Sequence, residues 1–228
     1  MPEGRKKEGQ AVRHALLPIY FEKCCRYFRR FAQEYWRVNL RKESLRRRRL
    51  GIYEMSKALI VFYSRAGENY VGGQIKDLET GNTEAAALMI QRITNADIFK
   101  IEQKKPYSKR YNDCIEQARA DQKNDARPEI KSKPESLDGY DTIYLGYPNY
   151  WGTMSMAVFT FLSGYDFSGK TIMPFCTHEG SGLGRSIKDI SALCAGADIK
   201  NGLAITGGRV KNALPDIEKW IAGENKDR

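Results

Sequence analysis

The sequence predicts an α/β fold in which a doubly wound, five-stranded parallel sheet lies between two layers of helices. Three observations lead to this prediction. After residue 55, short apolar and β-branched segments alternate five times with segments of helical periodicity. The first of them, Lys57–Tyr63, is almost continuously apolar, which is typical of a strand buried on both faces. No apolar run in the sequence approaches the roughly 18 residues that a membrane span requires.

The first two strands are each followed by a segment with helical spacing. After Lys57–Tyr63, the apolar residues of Ala86–Ile93 recur at three- and four-residue steps, as on one face of a helix. Asp97–Ile101 is predicted as the second strand, and Tyr111–Asp125 as a helix with a mainly polar face. Because a helix returns the chain between parallel strands, both units extend the same sheet.

The remaining three units repeat this alternation. Asp141–Tyr147 is predicted as the third strand, and the apolar residues of Met154–Leu162 lie on one face of the helix that follows it. The other predicted elements are a fourth strand over Lys170–Thr177, a helix over Gly184–Ala195, a fifth strand over Ile199–Ile205 and a closing helix lined by Val210, Leu214, Ile217 and Ile221.

Pro174 is unusual because it falls inside the predicted fourth strand. Proline has no backbone N–H and so removes one donor from the hydrogen-bond ladder of a sheet. We therefore expect a bulge at this position.

The formal net charge of +10 belongs almost entirely to residues 1–54. That segment holds 15 Lys and Arg residues and 6 Glu residues, which leaves 23 basic and 22 acidic residues in 55–228. We therefore predict two parts, a basic N-terminal extension over 1–54 and the α/β domain over 55–228. The near-neutral domain gives no electrostatic reason to bind nucleic acid, and we expect no such partner for it.

Two interpretations of the extension stay open. Met55 leads directly into the first strand, as an authentic start would, so residues 1–54 are interpreted as a mis-called start or a dispensable addition. Alternatively, aromatic residues at helical steps from Phe21 to Tyr35 form a basic helical arm that binds anionic lipid or nucleic acid. A native gene product that begins at Met1 would exclude the mis-called start.

The chain has five cysteines, an odd number without a CxxC pair or a histidine at zinc spacing. This pattern favours reduced thiols and a cytoplasmic location, and it predicts no metal site.

Polar and aromatic residues follow three of the predicted strands, at the edge where a doubly wound sheet binds ligands. Hydroxyls, a guanidinium and a helix N-terminus after the first strand are the groups that a terminal phosphate requires. The candidate binding residues are Ser64, Arg65 and Ala66 after the first strand, Asn82 and Thr83 at the first helix, Pro148, Asn149, Tyr150, Trp151, Gly152 and Thr153 after the third strand, and Thr177, His178, Glu179, Gly180, Ser181 and Gly182 after the fourth.

Each of these loops also has a purely structural explanation. Asn82 or Thr83 would serve equally as an ordinary helix N-cap. The aromatic pair Tyr150 and Trp151 would serve as a plug that folds back into the core, and His178 as an ordinary loop histidine. The sequence of any one loop excludes neither its structural role nor a role in binding.

Taken together, the three loops resemble those of the flavodoxin family over about Lys57 to Ile221. Ser64 and Asn82-Thr83 are similar to the family's phosphate-binding positions, and Pro148–Gly152 is similar to its Pro-Thr-Trp loop. The resemblance implies a flavodoxin-like three-layer α/β/α fold with strand order 2-1-3-4-5 and flavin mononucleotide (FMN) as the cofactor. It also implies that the aromatic loop packs against the flavin ring and that the third loop touches its far edge.

Two features depart from the family pattern. The segment Glu68–Thr80 lengthens the phosphate loop to 19 residues from Ser64 to Asn82, where a connection of a few residues is usual, and we expect it to form a flap. In addition, typical flavodoxins are strongly acidic, whereas residues 55–228 are nearly neutral.

The resemblance favours an electron carrier that docks transiently on redox protein partners. The alternative is an FMN-dependent reductase that takes hydride from NAD(P)H and reduces a quinone, nitro or azo compound. A third class, a nucleic-acid or membrane adaptor, would depend on residues 1–54. The sequence leaves open whether the protein is an enzyme and whether it is a monomer or a dimer.

Overall fold

The computed structural model describes residues 57–223, so the N-terminal segment interpreted above as an extension lies outside the described residues. The elements in chain order are β1 (Ala58–Tyr63), β2 (Gly67–Val71), β3 (Gln74–Leu78), α1 (Asn82–Thr94), β4 (Asp97–Ile101), α2 (Tyr111–Lys123), β5 (Thr142–Pro148), α3 (Met156–Leu162), β6 (Thr171–His178), α4 (Ser186–Leu193), β7 (Asp198–Ile199), β8 (Leu203–Thr206), a 3-10 helix (Gly207–Asn212) and α5 (Leu214–Ile221).

The central sheet is parallel, with the order β4-β1-β5-β6, and β7 and β8 pair one after the other along the far edge of β6. This order confirms the predicted doubly wound fold. The predicted fifth strand is present as two short pieces. The chain moves from β1 outward to β4 and then returns to the other side of β1, so the order reverses between β1 and β5. That reversal opens a crevice at the carboxyl ends of the strands.

The predicted bulge at Pro174 is wrong. Its pairing with β5 continues without interruption, with Leu145 opposite Pro174 and Gly146 opposite Phe175. The Ile172 carbonyl accepts from the Lys200 N–H, so the backbone of Ile172 faces the edge of β6 that pairs with β7 and β8. Pro174 is two residues further along the strand, and its backbone therefore faces the same edge. Proline therefore faces the gap between β7 and β8, where no ladder donor is needed.

Helices cover both faces of the sheet because its strands carry apolar side chains on both sides. On one face, Ile60 and Phe62 pack in a buried cluster with Ile90 of α1 and Ile217 of α5. On the other face, a second cluster contains Val61, Leu145, Val158 of α3 and Ile190 of α4. Burial of large aliphatic side chains on each side contributes about 1.5–3 kcal/mol per residue.

Gly146 in the middle of β5 shows how closely the sheet and its aromatic side chains pack. A Cβ atom at this position would lie 2.2 Å from the Phe175 ring. A side chain there would displace a fully buried aromatic residue of β6.

The segment predicted as a flap forms the antiparallel hairpin β2–β3. Its turn is made by Gly72 and Gly73, which have φ values of 61° and 84°. A two-residue hairpin turn with positive φ at both positions requires residues that tolerate the left-handed region, and glycine does so at no steric cost. Within residues 57–223, no helix combines the length and hydropathy needed to cross a membrane.

Candidate cofactor site

A cavity of about 270 Å³ opens at the carboxyl ends of β1, β5 and β6, in the crevice that the strand order predicts. Residues from all three predicted loops meet there. Ala66, Thr153, Gly180 and Gly182 do not line this cavity. The predicted residues that do line it are Ser64, Arg65, Asn82, Thr83, Pro148, Asn149, Tyr150, Trp151, Gly152, Thr177, His178, Glu179 and Ser181.

One end of the cavity is formed by the N-terminus of α1. The N-cap residue is Gly81, which makes no side-chain cap, and the Glu84 N–H donates instead to Ser64 Oγ at 3.1 Å. A Cβ atom on Gly81 would lie 2.3 Å from Ser64 Oγ, so only glycine allows this approach. The N–H groups of Asn82 and Thr83 have no acceptor within the helix, and with the helix dipole they favour an anion.

Two hydroxyls join the first and third loops at the floor of the cavity. Thr83 Oγ1 lies 2.7 Å from Thr177 Oγ1, and both residues are buried. The bond ties the start of α1 to the end of β6. The predicted meeting of these loops therefore rests on a direct contact between two predicted site residues.

The second loop is a tight turn. Tyr150 and Thr153 exchange two backbone hydrogen bonds, and the residues between them, Trp151 and Gly152, have φ values of 54° and 82°. The Asn149 side chain braces this turn, because its Oδ1 accepts from the Gly152 N–H and its Nδ2 donates to a carbonyl of the third loop. The turn is thereby held against the third loop.

The two aromatic residues of this turn point in different directions. Trp151 is 43% exposed at the cavity mouth, and its Nε1 donates to the Ile115 carbonyl. The Arg119 guanidinium lies over its ring at 4.8 Å. Tyr150 packs inward, edge-on against Tyr63, and burial raises its pKa well above the ordinary value.

Arg65 holds the base of the hairpin. Its guanidinium donates to the carbonyl oxygens of Ser108 at 3.0 Å and Lys109 at 2.9 Å, and to that of Glu68. Its Nε is buried without a partner among the described residues. The predicted role as a cation for a phosphate is therefore shared with a structural role that the sequence did not reveal.

The third loop is organised by His178 and Glu179. His178 Nδ1 accepts from the Gly180 N–H at 2.9 Å, and burial lowers the pKa of the imidazole while the Glu179 charge opposes this shift. Glu179 uses both carboxylate oxygens on backbone N–H groups, those of Gly72 at 3.0 Å and Gly208 at 3.1 Å.

Thr153 lies behind the cavity wall. It is fully buried, and its hydroxyl donates to Asp189 Oδ2 on α4 at 2.5 Å. Its position therefore braces the second loop against a helix, while its neighbours Trp151 and Gly152 face the cavity.

Sequence reasoning missed several residues of the cavity wall. Tyr70 on the hairpin is 41% exposed and stacks on Tyr111 of α2, with ring centroids 6.0 Å apart. No local pattern marks either residue, because each reaches the cavity only through the packing of the hairpin on α2. The missed residues are Asn69, Tyr70, Tyr111, Ile115, Ala118 and Gly207.

The residues present fit FMN. The N-terminus of α1, where Gly81 makes no side-chain cap, offers the N–H groups of Asn82 and Thr83 to a phosphate. Trp151 and Tyr70 offer aromatic faces to a flat ring, and the buried Arg65 Nε is a spare donor on the same wall.

The Flavodoxin_4 model of the flavodoxin family matches residues 78–223. Among solved structures, the chain is 26% identical to a protein of Bacteroides eggerthii described as a flavoprotein, with 72% of this chain and 98% of that chain covered and a TM-score of 0.54. The chain is 24% identical to a protein of Bacteroides uniformis that is also described as a flavoprotein. That match covers 73% of this chain and 98% of that chain, with a TM-score of 0.58.

A flavoprotein of Lactobacillus acidophilus in complex with FMN has the same fold, at 17% identity and a TM-score of 0.51, with 72% of this chain and 99% of that chain covered. No curated protein sequence matches the chain. The family match spans most of the described residues, and the strand order agrees with it. The chain therefore belongs to the flavodoxin family, a membership that supports FMN as its cofactor.

Proposed function

We propose that this protein binds FMN in the cavity at the ends of β1, β5 and β6 and carries electrons between redox proteins. The observation that carries the proposal is the pairing of the N-terminus of α1, whose N-cap residue Gly81 makes no side-chain cap, with exposed aromatic rings in one cavity. When bound, FMN supplies the electron-accepting ring, and the chain supplies binding, orientation and shielding.

The phosphate lies at the start of α1 in this proposal. The N–H groups of Asn82 and Thr83 donate to it, and the Ser64 hydroxyl, which already accepts from the Glu84 N–H, still has its own proton to donate. The helix dipole stabilises an anion at this position by about 0.3–1 kcal/mol.

Aromatic residues at the mouth of the cavity would hold the flavin ring. Trp151 contributes one face from the second loop, and Tyr70 contributes another from the hairpin. Aromatic contacts add roughly 0.5–1.5 kcal/mol beyond the burial of area. Pro148 and Thr177, which also line the cavity, would shield part of the ring from water.

The size of the cavity supports a carrier over a reductase. At about 270 Å³ its volume lies just below the roughly 300–1,000 Å³ that is typical of ligand pockets. Hydride transfer from NAD(P)H requires space for a second flat ring beside the flavin, in addition to the space that the flavin takes. Electron transfer to a protein partner requires only an accessible edge. The near-neutral charge of residues 55–228 favours transient partners that dock without a strong charge preference.

Two measurements on the full-length chain test the proposal. Titration of the purified protein with FMN should give a bound flavin spectrum and quenched flavin fluorescence. Anaerobic mixing of the loaded protein with NADPH alone should leave the flavin oxidised, whereas addition of a flavoprotein reductase as electron donor should bleach it. A protein that binds no FMN contradicts the proposal, and rapid bleaching by NADPH alone replaces the carrier with the reductase.

A further inference from the structure

The hairpin β2–β3 covers part of the cavity wall but adds almost nothing to the hydrophobic core. Val71 is its one buried residue, and the residues from Gly72 to Asp77 are all exposed. A two-stranded hairpin is at best marginally stable alone. Contacts outside the core must therefore hold it in place, and they include the stack of Tyr70 on Tyr111 as well as hydrogen bonds at its two ends.

The base of the hairpin is anchored by several bonds. The Arg65 guanidinium donates to the carbonyls of Ser108, Lys109 and Glu68, and Glu68 Oε2 accepts from the Tyr111 N–H at 2.9 Å. The Glu68 N–H also donates to the Lys109 carbonyl. This end remains attached to the loop before α2 even if the other end moves.

Among the described residues, one side chain, that of Glu179, supplies the hydrogen bond to the turn at the tip of the hairpin, beside the buried Val71 and the stacked Tyr70. Glu179 Oε2 accepts from the Gly72 N–H in the turn, and Oε1 accepts from the Gly208 N–H in the 3-10 helix. One carboxylate thus joins the turn to the part of the domain that follows β8. Both bonds are charge-assisted, so they are stronger than bonds between neutral groups.

This junction lies at the end of the cavity where α1 begins. A Cβ atom on Gly207 would lie 2.4 Å from both Asn82 Nδ2 and Glu179 Oε1, so these two atoms are close neighbours. A carboxylate repels a phosphate, which makes Glu179 a poor direct ligand for FMN at this end. Its two backbone partners instead give it a mechanical role.

We propose that Glu179 is a positioning residue that fastens the hairpin tip over the phosphate end of the cavity and thereby sets the rates at which FMN enters and leaves. This inference rests on the proposed function for the identity of the ligand. The fastening itself is a property of the chain without a ligand and is measurable without one.

Two substitutions of Glu179 separate the bonds, and a third provides the control. E179A removes both acceptors, E179Q keeps one acceptor oxygen, and Asp77→Asn removes a hairpin carboxylate that is remote from the turn bonds. The measurements are hydrogen exchange of the Gly72 amide in the cofactor-free protein, the association and dissociation rates of FMN from its fluorescence, and the thermal midpoint.

Opening the tip should affect exchange and both rates together. In E179A we expect the Gly72 amide to exchange about tenfold faster or more, and FMN to dissociate faster by a similar factor, since two charge-assisted bonds are lost. Association should also accelerate, with a smaller effect of both kinds in E179Q and none in D77N. A merely structural role would lower the thermal midpoint without raising the association rate.

Unchanged Gly72 exchange in E179A overturns the proposal, as does a lower thermal midpoint with both FMN rates unaltered. If the wild-type chain binds no FMN, the proposed function fails, while the Gly72 exchange still decides whether Glu179 fastens the tip.

Discussion

Thr83 and Thr177, which are 94 positions apart in the chain, share a buried hydrogen bond of 2.7 Å between their hydroxyls. The bond joins the start of α1 to the end of β6. It lies on the cavity floor, so the stability of the domain and the shape of the site depend on the same contact.

Replacing one partner of this pair should destabilise the domain. Thr83→Val keeps the shape of the side chain but leaves the Thr177 hydroxyl buried without its partner, at an expected loss of about 1–3 kcal/mol in the free energy of unfolding. Urea unfolding measures this loss. The double variant T83V/T177V should lose less than the sum of the two single variants, and additive losses would contradict a direct bond.

The close approach at Gly81 predicts a second effect. Gly81→Ala places a Cβ atom 2.3 Å from Ser64 Oγ and 2.5 Å from the backbone oxygen of Arg65, so the N-terminus of α1 must shift. We expect weaker FMN binding by at least tenfold, measured by fluorescence titration, because the donors at this terminus require close alignment. Gly139→Ala is the matched control, since its Cβ would meet no atom within 4 Å, and it should bind FMN normally.

Removal of the Trp151 ring should weaken FMN binding without unfolding the domain. The side chain is 43% exposed, so Trp151→Ala leaves the core intact. The lost aromatic contact corresponds to a dissociation constant that rises roughly two- to tenfold. Trp151→Phe retains an aromatic face and should recover much of the affinity. Equal affinities for wild type and W151A, measured by isothermal titration calorimetry, would place the flavin ring elsewhere.

His178 predicts a pH dependence of stability. Burial lowers the pKa of its imidazole in the folded state below the ordinary value of 6.5. The unfolded chain therefore takes up the proton first as the pH falls, and the free energy of unfolding decreases from pH 6.5 down to the folded-state pKa, below which the loss is complete. Urea unfolding of the wild type and His178→Asn between pH 5 and pH 8 should show this additional loss in the wild type only. Parallel pH profiles would contradict it.

The apolar spacing of the chain was sufficient to predict the sheet. The predicted second strand, Asp97–Ile101, coincides with β4. The predicted first strand differs from β1 by one residue at its start, and the predicted third strand differs from β5 by one residue at each end. A strand buried on both faces must be apolar at every position, and a covering helix must be apolar on one side, so these elements leave a local imprint. The bulge expected at Pro174 was wrong because the neighbour on the far edge, which is absent at that point, cannot be read from β6 itself.

The meeting of the three candidate loops in one cavity was also predictable, because the carboxyl ends of parallel strands lie at one edge of the sheet. The hydrogen bonds by which Arg65 and Glu179 hold the hairpin, and the contribution of Tyr70 to the cavity wall, were not predictable from the sequence. These side chains act on partners far along the chain, such as Gly72 and Glu179 at a separation of 107 residues. Periodicity and loop composition record the burial and charge of a segment, whereas a contact between distant segments exists only once the sheet and its hairpin have packed together.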